Sequence, residues 1–544
     1  MPAPARRLPA PRAMIVAPQP EAAEAGAAVL VAGGNAIDAL LACALTQGVV
    51  DPMMSGIGGL GVLQLHDPRT GKTLVLDGLS TCPGACTADM WAANFQRECA
   101  DGYGFILADR ANEMGHRAVT TPGILRLFAA AHARFGKLAW KDLFAPAIGF
   151  AEEGWIIRPH VHTMFTANEA AYGRLDYVNK LAFTAEGAAL YCRADGTPKR
   201  PGDAVRNPAL ARTLAGIARD GVESFYTGDL ARVMLDDMAA HGGLLSAADL
   251  AGFTVTEAAP LVVRYRGYDI SLPPPPAGGI VVAEMLRILE RFDLVAMGHN
   301  SAAYIRTLAA AMRIALKDRE DHIGDPATQP PPIDWLLGEA RAAAAEAHIR
   351  AGGSGPLVDV TGTAKDTTTI SCVDAEGMVA SLTHTLGVPS GVIPPGTGFM
   401  LNGAMNWYDP RPGRAGSIAP GKKRFSSMTP TLVFKDSRPV LTLGAPGGAW
   451  IGIAILQVLV NMLDFGMGMQ EAVQAPRFAA TGPAIDLSNR IPRAVERDLV
   501  AAGQVVRRNY GSYPFAAPHG ISLWDGRLEG GADPQRDGLA IGVA

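Results

Sequence analysis

The twenty residues from Asp366 to Thr385, DTTTISCVDAEGMVASLTHT, constrain this chain more than any other stretch. Three consecutive threonines, Thr367, Thr368 and Thr369, open a β-branched run that continues to Val373. Asp374-Ala375-Glu376-Gly377 then makes a turn, and Met378 to Thr385 gives a second strand. β-Branched residues fit a pleated surface, and a short Gly-containing link closes two such runs into a hairpin. The residues before it, Ala351 to Lys365 (AGGSGPLVDVTGTAK), have neither helical nor alternating period and read as an exposed loop. A loop that runs straight into a buried strand at a threonine is a place where a cut would leave that threonine as a new amino terminus. A threonine-rich strand edge with no further role fits the same pattern.

A threonine at a new amino terminus has a specific chemistry. Its hydroxyl is a poor nucleophile at neutral pH, but the α-amine, with a reference pKa of about 7.7 to 8, can take the hydroxyl proton directly or through water. Nucleophile and base then sit on one residue, and no separate His/Asp pair is needed.

Composition narrows the partners. A chain of 544 residues with 48% hydrophobic content has ample material for a core. Its net charge of −4 and lack of a basic run argue against nucleic acid and against an anionic membrane. The start, MPAPARRLPAPRAMIVAPQP, lacks an apolar stretch of signal-peptide length, and no uninterrupted apolar segment approaches about 18 residues, so the expectation is a soluble, cytoplasmic protein. Six cysteines at 43, 82, 86, 99, 192 and 372 complete no zinc pattern and read as buried thiols of a reducing compartment. His160-Val161-His162 would put two rings on one face of a strand, but without a third ligand no metal and no cofactor is expected.

In chain order, Glu21–Val31 reads as a helix stopped by Gly33-Gly34, and Asn35 caps AIDALLACALTQGVV, a helix apolar on nearly every face and therefore buried. Gly56, Gly58 and Gly61 match G-x-G-x-x-G. A helix precedes them and a strand follows, the reverse of a dinucleotide site, so a tight turn with close backbone approach is expected. Strands 60–66 and 73–77 form a hairpin, and Thr121-Pro122 opens a helix to Phe135. Helices are expected at 140–153, 208–220, 229–241 and 246–250. One strand follows over 261–272, then a four-proline run to Pro276 and Ala277-Gly278-Gly279 at an edge or cleft, then helices at 280–291, 301–318 and 333–349. Later come extended pieces at 398–402 and 405–408, a loop from Asp409 to Lys423, a strand at 439–443, and Pro446-Gly447-Gly448 feeding a helix over 451–463. A Gly-Gly turn at a helix start aims backbone N–H groups outward, as a developing oxyanion requires. Helices dominate the first ~360 residues and strands the rest, which indicates α+β or a sheet sandwich covered by helices rather than a doubly wound fold.

The ordered set GGNAIDALLACAL, DTTTISCVD, RFSSMTPTLVFKD, LGAPGGAWIGIAILQVLVNMLDFGM and EAVQAPRF resembles the γ-glutamyltranspeptidase family of N-terminal nucleophile hydrolases, over nearly the whole chain from about Met14. The resemblance implies a four-layer αββα sandwich and a precursor that cuts itself between Asp366 and Thr367. A large subunit, 1–366, and a small one, 367–544, then form one interwoven domain, and the heterodimers can associate further. It selects Thr367 among the three threonines as nucleophile and matches Thr385 to a threonine that hydrogen-bonds it. It also matches Ser426 and Ser427 to a serine pair holding the substrate carboxylate, and Gly447 and Gly448 to the oxyanion hole. The partner implied is a small-molecule amide.

The resemblance also implies departures. The arginine that holds a glutamyl α-carboxylate falls at Ala88, an asparagine at Gly387, a glutamine at Ala404 and an acid at Trp407. Each lost charge-assisted hydrogen bond removes about 1.5 to 3 kcal/mol of head-group recognition. The short loop 409–423 cannot form the lid of longer relatives. The expectation is therefore a threonine amidohydrolase or acyltransferase acting on another acyl group, glutaryl-type or a small amide such as oxamate. A true γ-glutamyltransferase or glutathione hydrolase, using Asn406, Arg411 or Arg414 as substitutes, is the alternative; Asn406 and Trp407 are expected, with Ser426 and Ser427, to contact the substrate. An uncleaved, non-enzymatic scaffold is the third.

Overall fold

A computed structural model describes residues 10–100, 102, 104–356, 367–510 and 515–544. Two antiparallel sheets form its centre. Their strands, in chain order, are β1 (Ala13–Ala17), β2 (Leu60–Asp67), β3 (Lys72–Gly78), β4 (Thr256–Ala258), β5 (Leu261–Tyr265), β6 (Tyr268–Leu272), β7 (Thr368–Val373), β8 (Val379–Thr385), β9 (Thr431–Lys435), β10 (Arg438–Gly444), β11 (His519–Ser522), β12 (Glu529–Ala532) and β13 (Leu539–Val543). Sheet one runs β13-β1-β7-β8-β2-β3-β4 and sheet two β12-β11-β10-β9-β6-β5. Strands from before and after position 367 thus alternate within sheet one and meet at β9/β6 in sheet two.

Period-two alternation explains the layering, because successive strand residues face opposite sides. Ile15, Ile370, Cys372 and Leu382 point into a core shared with the helices α1 (Pro20–Val31), α2 (Ala36–Val50) and α3 (Ile124–Phe135). Their neighbours Met14, Val16, Val373 and Val379 point the other way and meet Leu432, Ile521 and Ala532 of sheet two. The opposite face of sheet two, with Ile270, Val433 and Leu441, packs on α4 (Gly279–Leu289), α5 (Ala302–His322) and α6 (Ile451–Leu463). The result is helix, sheet, sheet, helix: an α+β four-layer αββα sandwich.

The central hairpin forms as its sequence dictates, and its turn is anchored. Asp374 accepts hydrogen bonds from Glu376 N and Met378 N, and its other oxygen accepts Ala36 N at 3.0 Å, capping α2. Asn35 and Asp38 complete a capping box there, and α2 is buried along almost all its length, as its all-round apolar sequence requires.

Several expectations need correction. The run 261–272 is two strands, β5 and β6, because Arg266-Gly267, both at positive φ, turns the chain back. The helix expected over 140–153 splits into a 3-10 turn (Trp140–Phe144) and a helix (Ala145–Glu153) with Pro146 in its first turn. α3 starts at Ile124 after Gly123, while Thr121 bridges to Thr81. His160 and His162 lie on a helix, Pro159–Phe165; His160 is buried and His162 bonds the Lys199 carbonyl. The segment 398–402 contributes only isolated bridges, and Ala404–Trp407 is a 3-10 turn. β1 and β13, unassigned in the sequence, pair with each other in sheet one, and β1 also lies beside the central hairpin.

Candidate active site

Register brings the site residues to one end of the sandwich. Thr368 pairs with His384 and Thr385 with Leu60, so one further step places Thr367 across from Thr385. β1 pairs with β7 only as far as Ser371, which leaves the start of β7 uncovered on that side. In sheet two, Thr431 pairs with Leu443, so the segment entering β9 (426–430) and the segment leaving β10 (445–448) emerge together. The sheets touch here through small groups: a Cβ on Gly444 would stand 2.1 Å from Thr369 Oγ1, and Ser381 Oγ donates to the Leu443 carbonyl at 3.4 Å. Three and four residues beyond Gly444 lie Gly447 and Gly448.

Thr367 is buried, 2% exposed, with φ 89°. A β-branched residue in that region carries roughly 1–3 kcal/mol of backbone strain. Asp366 lies outside the described residues. Thr385 Oγ1 accepts from Gly387 N at 2.9 Å, which fixes its rotamer and leaves its hydroxyl proton to be given elsewhere. Gly447 (φ 141°) and Gly448 (φ 56°) adopt conformations that require glycine, and they lead through a 3-10 turn into α6, whose first N–H groups have no intrahelical acceptor. Ser426 is buried, with its N–H donating to the Pro276 carbonyl at 2.7 Å; Ser427 is half-buried and lines a cleft. The Pro-rich turn supports this pair from behind: Gly278 N donates to Met428 O, and a Cβ on Gly278 would stand 2.6 Å from Ser427 O.

Of the departing positions, Gly387, Ala404 and Trp407 come together in an apolar wall. Trp407 and Ala404 belong to one buried cluster with Leu60, Ala277 and Met428. A Cβ on Gly387 would stand 2.9 Å from the Trp407 ring, so the indole fills the space a side chain at 387 would use. Ala88 is exposed on a turn of the segment whose Cys86 and Trp91 pack against Met405 and Tyr408. The structure does not bring Asn406 to the cleft: it is fully buried and donates to the Phe105 carbonyl at 3.2 Å. Arg411 is gripped by Asp409 and Glu98, and Arg414 is largely exposed, 3.7 Å from Asp409.

Behind the threonines lies a buried polar network that the sequence reading missed. Gln47 Nε2 donates to Thr368 Oγ1 and to Gln19 Oε1, while Gln47 Oε1 faces His384 Nε2 at 2.8 Å. Thr368 Oγ1 donates to Gln19 Oε1, and Gln19 Nε2 donates to Asp51 at 2.7 Å. Because both Gln47 Nε2 protons are used, Gln47 Oε1 must accept, and His384 carries its proton on Nε2. Burial pushes His384 down to about 3, so it is neutral, and pushes Asp51 up to about 6 against the pull of Arg158, Gln19 and Arg536. The available signal was Thr46-Gln47 inside a helix whose every face is buried.

Among the described residues, His116, Asp237 and His241 bring three ligand-type atoms within 4.8 Å. The two rings stack nearly parallel, 4.4 Å apart, so no ion can lie in both ring planes; Asp237 instead links them, 2.8 Å from His116 Nε2 and 3.2 Å from His241 Nδ1.

The αββα sandwich with a buried threonine at a strand start and a glycine turn beside it defines an N-terminal nucleophile type of hydrolase. A profile for gamma-glutamyltranspeptidase matches residues 22–543, and the chain belongs to that family of hydrolases and acyltransferases. It is 38% identical to the acylase ACY 1 proenzyme of Pseudomonas sp. (strain V22), over 98% of this chain and 94% of that one. It is 33% identical to a glutathione hydrolase proenzyme of Pseudomonas sp. (strain A14), over 97% and 94%. The crystal structure of a cephalosporin acylase from Bacillus halodurans superposes with a TM-score of 0.86 at 27% identity, covering 99% of this chain and 98% of that one. No helix among the described residues is long and apolar enough to cross a membrane.

Proposed function

We propose that this chain is a self-cleaving threonine acylase: an amidohydrolase and acyltransferase that cuts before Thr367 and then acts on an amide whose acyl group is not a zwitterionic glutamyl head. In the reaction, the α-amine of Thr367 takes the proton from Oγ1, which attacks the amide carbon. The oxyanion that forms is met by N–H groups of the Gly447-Gly448 turn, while Thr385 holds Oγ1 in line. Collapse expels the amine, which receives the proton from the α-ammonium, and leaves an acyl ester on Thr367. Water, or an acceptor amine, repeats the steps in reverse order and frees the acid or a new amide.

The observation that carries the acyl assignment is the contact of Trp407 with Gly387. It replaces the polar groups an ammonium would need by an indole packed into an apolar cluster. The higher identity to the acylase proenzymes than to the glutathione hydrolases supports the same reading. A cleft lined by Ser427 and Ala449 together with Val281, Leu316 and Ile453 offers an acyl chain apolar contact. Denaturing electrophoresis, N-terminal sequencing and a panel of glutaryl, other dicarboxyl, oxamate and γ-glutamyl amides test the proposal. Two bands, Thr first in the smaller, and glutaryl turnover above glutathione turnover are expected; a single band of ~57 kDa with activity would end it.

A further inference from the structure

The inner cleft has a chemistry of its own. Its walls are Val281, Leu316 and Ile453, and beyond them stand the side chains of Arg319, Arg424 and Phe425. The same Arg319, Arg424 and Phe425 border a second hollow, 1130 Å³ counting its open mouth, that opens along the 409–423 loop. They therefore form the boundary between a narrow, apolar-walled chamber that reaches Ala449, the residue after the Gly447-Gly448 turn, and a wide vestibule. Arg319 stacks on Phe425, its guanidinium carbon 5.2 Å from the ring centre, and its Nε is buried with no hydrogen-bond partner among the described residues. Arg424 lies over the Trp407 ring at 5.0 Å. Among the described residues, the carboxylates whose fields reach Arg319 are Glu320 and Glu98, and Glu98 is bound by Arg411 at 2.6 Å. A buried guanidinium donor without an acceptor is costly, and a ligand carboxylate is the group that fits its fork.

We infer that Arg319, with Arg424 beside it, is the specificity-determining group that binds the far carboxylate of a short dicarboxylic acyl chain. This inference rests on the acylase reading above and names its substrate class. The acyl half belongs in the inner chamber because it stays esterified to Thr367 while the amine must leave, and the vestibule is the wider way out. The methylenes of the acyl chain lie along Val281, Leu316 and Ile453. Arg319 thus supplies the cation that is missing at Ala88, from α5 rather than from the 82–91 segment.

The test compares glutaryl and pentanoyl 4-nitroanilides, which differ only in the distal carboxylate, on processed enzyme. Arg319→Met lowers kcat/KM for the glutaryl compound about 10- to 100-fold, mainly through KM, and leaves the pentanoyl compound within about threefold. Arg319→Lys, which keeps the charge but not the fork, falls between. Equal losses on both acyl groups would make Arg319 structural. A loss seen only when a carboxylate is moved to the anilide would assign it to the leaving group, and either outcome overturns the inference. Calorimetry with glutarate and pentanoate on the wild-type protein separates this from failure of the nucleophile assignment and serves if Arg319→Met does not fold. Glutarate binds at least about tenfold tighter whether or not turnover occurs, and equal affinities refute the role of the distal carboxylate.

Discussion

Two walls of one cleft contrast. The wall that would carry the chemistry is set mainly by backbone: the start of β7, the Gly387 N–H that holds Thr385 Oγ1, and a turn at φ 141° and 56° that admits only glycine. The wall that would read the acyl group is built from side chains: Trp407 against Gly387, Ala404 and Met428 beside them. Backbone geometry tolerates little change, whereas side-chain walls can be repapered without disturbing the strands behind them. The reaction can therefore persist while the substrate changes.

Five substitutions, singly or combined, test that contrast. Thr367→Ala should leave the precursor whole on a gel and amidase activity at background; normal processing would show the nucleophile to be elsewhere. Gly447→Ala forces a side chain into φ 141° and should cut kcat about 10²- to 10³-fold with KM little changed, read by single-turnover kinetics on processed protein. On the other wall, Gly387→Asn alone should lower the melting temperature, because its side chain meets the indole. Combined with Trp407→Asp and Ala88→Arg, it should raise γ-glutamyl anilide turnover about tenfold. Additive effects of Gly387→Asn and Trp407→Asp would mean that the two positions do not share one space.

The smallest effect concerns the network behind both walls. His384 sits at about 3 when folded against 6.5 for an ordinary imidazole. The unfolded chain takes up the proton more readily. The stability from burying the neutral ring is complete above pH 6.5 and is lost as pH falls toward 3. His384→Gln can still donate to Gln47 and never charges. Its melting temperature should fall by a few degrees less than that of the wild type between pH 7 and pH 5, and parallel curves would dismiss the assignment.

Much of this site was legible because local rules and global packing agree. The Thr hairpin, the buried α2 and the Gly447-Gly448 helix entry follow from β-branching, all-round apolarity and glycine placement. Pairings across hundreds of residues were not legible: AMIVA gives no sign that it lies between Val373 and Val543. Nor was the Gln19–Gln47–His384 network, since each member alone looks like an ordinary polar residue. Asn406 shows the converse failure. A polar residue in a site-like segment turned out to hold a neighbouring backbone instead.

Sheet one places β7 between β1 and β8, and β13 on the far side of β1. A nick before Thr367 would therefore free a chain end without freeing a piece, since the halves are woven like the fingers of clasped hands. Dilution should not part them, one half cannot be swapped for a fresh copy in solution, and halves translated from separate messages would have to find each other before either could finish folding. A single continuous message is thus the practical way to build such a two-part enzyme.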